Sequence, residues 1–260
     1  TNATVIDCIL KPYQGVIAAN TGHIATHEAG AIEYGGHKVL SVPHQQGKIS
    51  ATDIESIMQE YQSDLNKNHT VMVYISHPTE FGTLYTKKEL LSLSTVCHKY
   101  HLPLYVDGAR LAYALGSPDN EITLSDLSKL ADIFYIGGTK CGTLFGEAVV
   151  LTQKNMIPHF FTMIKQHGAL LAKGRLLGIQ FDTLFTNNLY ETIGQNAVSY
   201  GQQIKETLIN SQFTVPFDSP TNQIFFVIEN NLLAHLAEQV EFGFMQKWSD
   251  SESLIRLCTS

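Results

Sequence analysis

The chain has 260 residues, 44% of them hydrophobic and 16% charged, with a formal charge of −7 at neutral pH. That length and hydrophobic fraction suffice for a large buried core and exclude a disordered chain. The acidic balance and the absence of any Lys/Arg cluster exclude phosphate-backbone binding, and hence nucleic acid, as the main task.

Cys8, Cys97, Cys141 and Cys258 lie far apart without a C-x-x-C pair, so neither zinc ligation nor a disulfide framework is indicated, and a reducing, cytoplasmic setting is expected. No apolar run approaches the roughly 18 residues of a membrane span and no basic-then-apolar leader opens the chain, so no membrane partner is expected. The chain starts at TNATVIDCILKPYQG without a methionine and stops at the strand-like LIRLCTS; further residues are expected beyond both ends.

In chain order, GVIAAN (15–20), KVLSVP (38–43), VMVYIS (71–76), LPLYVD (102–107), IFYIGG (133–138) and AVVLT (148–152) read as strands. Their continuous rather than alternating apolar character predicts cover on both faces, as in a mostly parallel sheet. Between them, Thr52 with Glu55 and Thr86 with Glu89 match the S/T-x-x-E capping box. Apolar residues at helical spacing follow each: Ile54, Ile57, Met58 and Tyr61 in one, Leu90, Leu93, Cys97 and Tyr100 in the other. After about residue 153 the pattern is mainly helical through SYGQQIKETLIN; QIFFVI (223–228) and LIRLCTS (254–260) then read as strands around another helix. The expectation is an α/β fold, a mostly parallel sheet flanked by helices over residues 1–204, with a smaller α+β domain over 205–260.

Ligands of open α/β sheets bind beyond the carboxyl ends of the strands, which singles out TGHIATHEAG, SHPTEFGT, DGAR and GGTKCG. Asp107 ends an apolar strand, where a carboxylate is costly unless compensated; Arg110 is one candidate partner, and Asp107-Gly108 is equally an ordinary turn. Lys140 stands between Gly138 and Gly142. A phosphate-binding P-loop needs G-x-x-x-x-G-K-[ST], and Thr139 before and Cys141 after the lysine rule it out. A confined lysine of lowered pKa can attack a carbonyl to form a Schiff base; a solvated loop lysine is the plainer alternative. His23 lies in a small-residue loop. Glu28 could cap or turn the next helix, His27 and His37 could be surface residues, and His77 and Glu80 could form a strand exit or a site wall. Pyridoxal phosphate uses a lysine, a carboxylate for the ring nitrogen, a flat group over the ring, and cationic or hydroxyl donors. The chain offers these at strand ends in the order His23, Asp107, Arg110, Lys140.

TGHIATHEAG, PTEFGTLY, YVDGARLAYAL and GGTKCGTLFGEAVVL resemble motifs of the low-specificity threonine aldolases, in the β-eliminating lyase group of fold-type I pyridoxal-phosphate enzymes. The likeness covers most of the chain. It implies an aspartate-aminotransferase-type fold, pyridoxal 5'-phosphate as cofactor, no metal, a small amino-acid substrate, and a homo-oligomer, dimer or tetramer. It implies that Lys140 forms the Schiff base, Asp107 pairs with the ring nitrogen, Arg110 contacts the ring's oxygen or nearby groups, and His23 stacks on the ring. Arg256 would hold the substrate carboxylate, a role that suits a guanidinium fork, with a structural ion pair as the plainer alternative. The family's phosphate loop carries a Gly-Thr just before the point where this chain begins, which leaves Thr1 and Asn2 as its tail; Asn2 and Thr139 are further expected cofactor contacts. A basic residue from a neighbouring subunit would be Lys173 or Arg175. The position facing the substrate hydroxyl, a histidine in some members, aligns with Glu80, with His77 nearby, so the base is His23 or Glu80.

The reaction so implied is aldol cleavage of L-threonine or L-allo-threonine to glycine and an aldehyde, a step of threonine catabolism and glycine formation. A β-eliminating lyase or aminotransferase on the same fold shares the cofactor residues and is the nearest alternative. A cofactor-free, non-catalytic relative is the other, and the intact set Lys140, Asp107 and Arg110 speaks against it.

Overall fold

A computed structural model describes residues 1–62 and 69–260. The first part runs α1 (Asn2–Ile9), β1 (Gln14–Ala19), α2 (His23–Thr26), α3 (Ala31–Tyr34), β2 (Lys38–Val42), α4 (Ala51–Gln62), β3 (His69–Ser76), α5 (Lys87–Tyr100), β4 (Leu104–Asp107), α6 (Leu111–Leu115), α7 (Leu124–Leu130), β5 (Ile133–Gly137) and β6 (Glu147–Leu151). Helices α8 (Phe160–Gln166), α9 (Arg175–Phe185) and α10 (Leu189–Asn210) follow, and β7 (Gln223–Glu229), α11 (Leu233–Ala237), β8 (Gly243–Lys247) and β9 (Glu252–Cys258) close the chain.

The large sheet has the order β2-β1-β3-β4-β5-β6, parallel throughout except where β6 runs against β5. β2 and β3 lie on opposite sides of β1, so the carboxyl ends of β1 and β3 flank the switch point at which such sheets bind ligands. A second, antiparallel sheet has the order β7-β9-β8. The mostly parallel α/β reading therefore holds, and each sequence-expected strand is present. The sequence reading passed over β8, whose mixed burial shows neither alternation nor an apolar run. Helix α10 runs unbroken through residue 204, where that reading divides the chain.

Alternate residues of each central strand serve opposite faces. Ile17, Val73, Ile75, Val106 and Ile136 pack with α4, α5, α6 and α10 through Ile54, Leu90, Leu93, Tyr113 and Val198. Val16, Met72, Tyr74, Tyr105 and Tyr135 face the other way, against Val5 and Ile6 of α1 and Ile24 and Ile32. Three tyrosines therefore lie on one face of strands that otherwise read as plain apolar runs, and Asp107, two residues after Tyr105, ends the same row.

The Thr86/Glu89 box is formed as expected and starts α5. Thr52/Glu55 is not a cap. Helix α4 starts at Ala51, and Ser50 with Asp53 takes that role: Ser50 N donates to Asp53 Oδ2 at 2.7 Å and Asp53 N to Ser50 Oγ at 3.3 Å. Glu55, left free, pairs with Lys99 at 2.6 Å. His37 is a second correction: it is buried, with Nε2 2.9 Å from Asp7 of α1, because α1 covers the edge on which the sequence reading expected an open surface.

Candidate active site

A cleft at the carboxyl edge of the large sheet is lined by Asn2, His23, Glu28, Ser76, Glu80, Asp107, Arg110, Tyr135 and Lys140, among others. Asp107 is buried at its floor. Its Oδ1 accepts from Tyr135 OH at 2.5 Å and Ala109 N at 2.9 Å; its Oδ2 accepts from Tyr74 OH and from Asn2 Nδ2 at 3.0 Å. Four donors offset the desolvation of the carboxylate. Burial, then the charge of Asp107, drives the phenols of Tyr74 and Tyr135 far above the ordinary tyrosine range, so both remain donors. Arg110, one candidate partner of Asp107, lines the cleft, with no bond between the two among the described residues.

Lys140 reaches the same cleft because the exits of β4 and β5 touch. A Cβ on Gly108 would lie 1.9 Å from the Tyr135 carbonyl oxygen, so only glycine permits the approach, and Gly137 N donates to Gly108 O at 2.9 Å. The loop then turns through Gly142 at φ 114°, which favours glycine. Because β6 is antiparallel, its first residue stands at this edge: Glu147 accepts from Gly138 N at 2.8 Å and from Thr139 Oγ1 at 3.1 Å. Tyr113 OH donates to the Lys140 carbonyl and Tyr190 OH to that of Gly137, at 2.9 Å in the latter case. Much of the Lys140 side chain opens onto the cleft, yet the surrounding protein desolvates its amine and, together with the charge of Arg110, lowers its pKa. A lysine in that state has more free amine available for attack on a carbonyl.

His23 follows β1 and Glu80 follows β3. The His23 backbone N–H donates to Glu80 Oε1 at 2.9 Å, and Ser76 Oγ donates to the same oxygen at 2.6 Å. Burial raises the Glu80 pKa. Glu28, read from sequence as a capping or turning residue, instead joins two site groups: its Oε1 is 2.9 Å from His23 Nδ1 and accepts from Asn2 Nδ2 at 2.7 Å. The hydrogen bond to Glu28 raises the His23 pKa; burial raises that of Glu28, but the bonds from His23 and Asn2 outweigh it and the net shift is downward. His77 lies outside the cleft, buried, with its pKa pushed down to about 4 by burial.

Asn2 lines the cleft, bonded to Glu28 and Asp107. The Thr139 hydroxyl is turned to Glu147 rather than into the cleft. Arg256, on β9, does not line this cavity; its charge adds a minor share to a lowering of the Lys140 pKa that burial dominates. Lys173 and Arg175 are exposed. The sequence reading missed Glu28, Glu147, Tyr74 and Tyr135; only the position of Glu147 ten residues after Gly137, on a reversed strand, could have pointed to it.

This donor set fits pyridoxal phosphate: a desolvated amine, a buried carboxylate held ready for a cationic ring nitrogen, an imidazole and a guanidinium line one cleft. Of the four bonds to Asp107, that from Asn2 is the longest, and the same amide nitrogen also donates to Glu28.

The sheet order and the switch-point cleft are those of the aminotransferase-type fold of pyridoxal-phosphate enzymes. The beta-eliminating lyase family profile matches residues 1–231, and the chain belongs to that family. The solved structure of Leishmania major threonine aldolase is 42% identical, with a TM-score of 0.96 over all of this chain and 75% of that one. The low specificity L-threonine aldolase of a Pseudomonas species is 28% identical over 235 residues, and that of Pseudomonas aeruginosa 32% over 181. These matches take in 88% and 68% of this chain, which spans 64% and 51% of the length of those two relatives.

Proposed function

We propose that the protein cleaves the Cα–Cβ bond of a β-hydroxy-α-amino acid, L-threonine or L-allo-threonine, to glycine and an aldehyde. The observation carrying this reading is the meeting of Lys140, Asp107, His23 and Glu80 at one cleft, in a chain similar along its whole length to a threonine aldolase. Pyridoxal phosphate, when bound, supplies a covalent attachment for amino groups and an electron sink for the pair released at Cα. Lys140 would hold it, with Asp107 at its ring nitrogen and His23 and Arg110 around it. Arg256 takes the substrate carboxylate.

Of the two candidate bases, Glu80 suits the β-hydroxyl better. Burial lifts its pKa, which strengthens it as a base, whereas the bond to Glu28 biases His23 toward its protonated form. The hydroxyl proton passes to Glu80, the β-carbon leaves as the aldehyde, the electron pair stays with Cα, and a proton returned there completes glycine.

The intact protein should release acetaldehyde from L-allo-threonine and L-threonine. Keto acid and ammonia from serine or cysteine, without acetaldehyde, would replace this reading by β-elimination, and amino-group transfer to a keto acid by an aminotransferase. A protein that gains no visible absorbance with pyridoxal phosphate, in wild type as in Lys140→Ala, would be a cofactor-free relative.

The same proposal includes a homo-oligomer, dimer or tetramer, supported by exposed apolar side chains such as Leu144 (87%), Phe161 (67%) and Ile179 (60%). It includes a cytoplasmic setting, supported by four free cysteines, and a role in threonine catabolism and glycine formation. No helix among the described residues is long and apolar enough to cross a membrane. The division into domains 1–204 and 205–260 is kept on the strength of the two separate sheets.

A further inference from the structure

Arg256 is held in place by a neutral side chain. It lies opposite Phe225 in the β7–β9 ladder while Gln223 lies opposite Cys258, so Gln223 and Arg256 are diagonal neighbours on one face. Arg256 Nη1 donates to Gln223 Oε1 at 3.2 Å, and Gln223 Nε2 donates to the carbonyl of Thr79, also at 3.2 Å. Thr79 directly precedes Glu80. Gln223 is fully buried, and its two bonds fix the amide's sense: reversed, NH2 would face a guanidinium and oxygen would face a carbonyl. Arg256 Nε is buried without a hydrogen-bond partner among the described residues. Among the described residues no carboxylate pairs with Arg256, so the guanidinium keeps its charge for an incoming anion.

We infer that Gln223 is a positioning residue for the substrate carboxylate, aiming the Arg256 fork without neutralising it and tying that fork to the loop that carries Glu80. The inference rests on the proposed function in taking an α-amino acid as substrate and Arg256 as the residue that holds its carboxylate; which bond of that amino acid breaks does not enter. Glutamine suits the task because it accepts from a guanidinium at one end and donates to a carbonyl at the other, with no net charge. A glutamate would keep the bond to Arg256 but set lone pairs against Thr79 O and compete with the substrate for the charge. A methionine would fill the volume and leave both neighbours unpartnered.

The test measures glycine binding to the cofactor-loaded intact protein by calorimetry, with KM and kcat beside it. Gln223→Glu and Gln223→Met should each weaken glycine by roughly tenfold, raise KM in proportion and lower kcat by less. Ethylamine, which lacks the carboxylate, should bind all three proteins equally. In an Arg256→Lys background, Gln223→Met should add little, because the fork it aims is gone. Unchanged glycine affinity in both variants, equal losses for glycine and ethylamine, or failure of both variants to fold would overturn the assignment. A wild-type protein that binds no amino acid would refute the proposed function itself, and the inference with it.

Discussion

Gly108→Ala tests whether the touching exits of β4 and β5 hold the site together. The new Cβ would lie 1.9 Å from the Tyr135 carbonyl oxygen and 3.1 Å from its carbon, both backbone atoms with no side-chain freedom to yield. Carbon and oxygen rest about 3.3 Å apart or more, so the exits must part by roughly 1.4 Å. That opening breaks the 2.9 Å bond from Gly137 N to Gly108 O and draws Asp107 and Lys140 apart. Overpacking of this kind costs about 1–3 kcal/mol, and a displacement of about 1 Å between reacting groups costs on the order of 100-fold in rate. Urea unfolding should show the loss of stability and acetaldehyde release the loss of rate, with far-ultraviolet circular dichroism unchanged. Gly178→Ala is the control: a Cβ there meets nothing within 4 Å, and alanine in α9 should stabilise by up to about 1 kcal/mol. Stability within about 0.5 kcal/mol of wild type, together with an unchanged rate, would refute the reasoning.

Three further outcomes are expected. His77 protonates near pH 6.5 when unfolded and near 4 when folded, so its contribution to stability is present above pH 6.5 and is lost as pH falls toward 4. The slope reaches about 1.4 kcal/mol per pH unit; His77→Gln should flatten that part of the stability–pH curve, and an equally steep curve would count against it. Glu28→Gln replaces the charged acceptor that raises the His23 pKa by a neutral one, so the NMR titration of that ring should move to lower pH, and a stationary titration would contradict the assignment. Thr86→Ala should cost about 1 kcal/mol of stability by thermal melting. Thr52→Ala, which removes no cap, should cost less than about 0.5 kcal/mol, and equal losses would restore the Thr52 box.

The parallel sheet was legible because strands covered on both faces are written as unbroken apolar runs, and Thr86/Glu89 because a capping box is a local contact. Thr52/Glu55 shows the limit of that logic: Ser50 and Asp53 offer the same chemistry two residues earlier, and spacing alone does not rank two overlapping caps. Lys140, Asp107, His23 and Glu80 were findable as polar residues at strand ends. Glu28 was not, because its partners His23 and Asn2 are brought to it by the turn into α3 and by α1. Glu147 escaped because it reaches the Lys140 loop only if β6 is reversed, and the only mark of that reversal is the short link from Gly137, not the strand itself. Tyr74 and Tyr135 looked like apolar filler, since a strand pattern records the ring and not where the hydroxyl ends.

Those tyrosines change what surrounds the carboxylate. Around an exposed acid, water molecules turn whenever the neighbouring charge changes, and that turning is part of the barrier to any reaction there. At Asp107 the first layer is made of fixed protein donors, half of them phenols: Tyr74 and Tyr135 bond to it beside Ala109 N and Asn2, and Tyr105 orients Asn2 by donating to its Oδ1 at 2.8 Å. Each ring is fixed in a strand and, with its pKa raised by burial, stays protonated through the alkaline range. The carboxylate sits in a solvent whose dipoles were frozen into alignment when the sheet folded, so a cation arriving beside it finds most of the reorganisation already done.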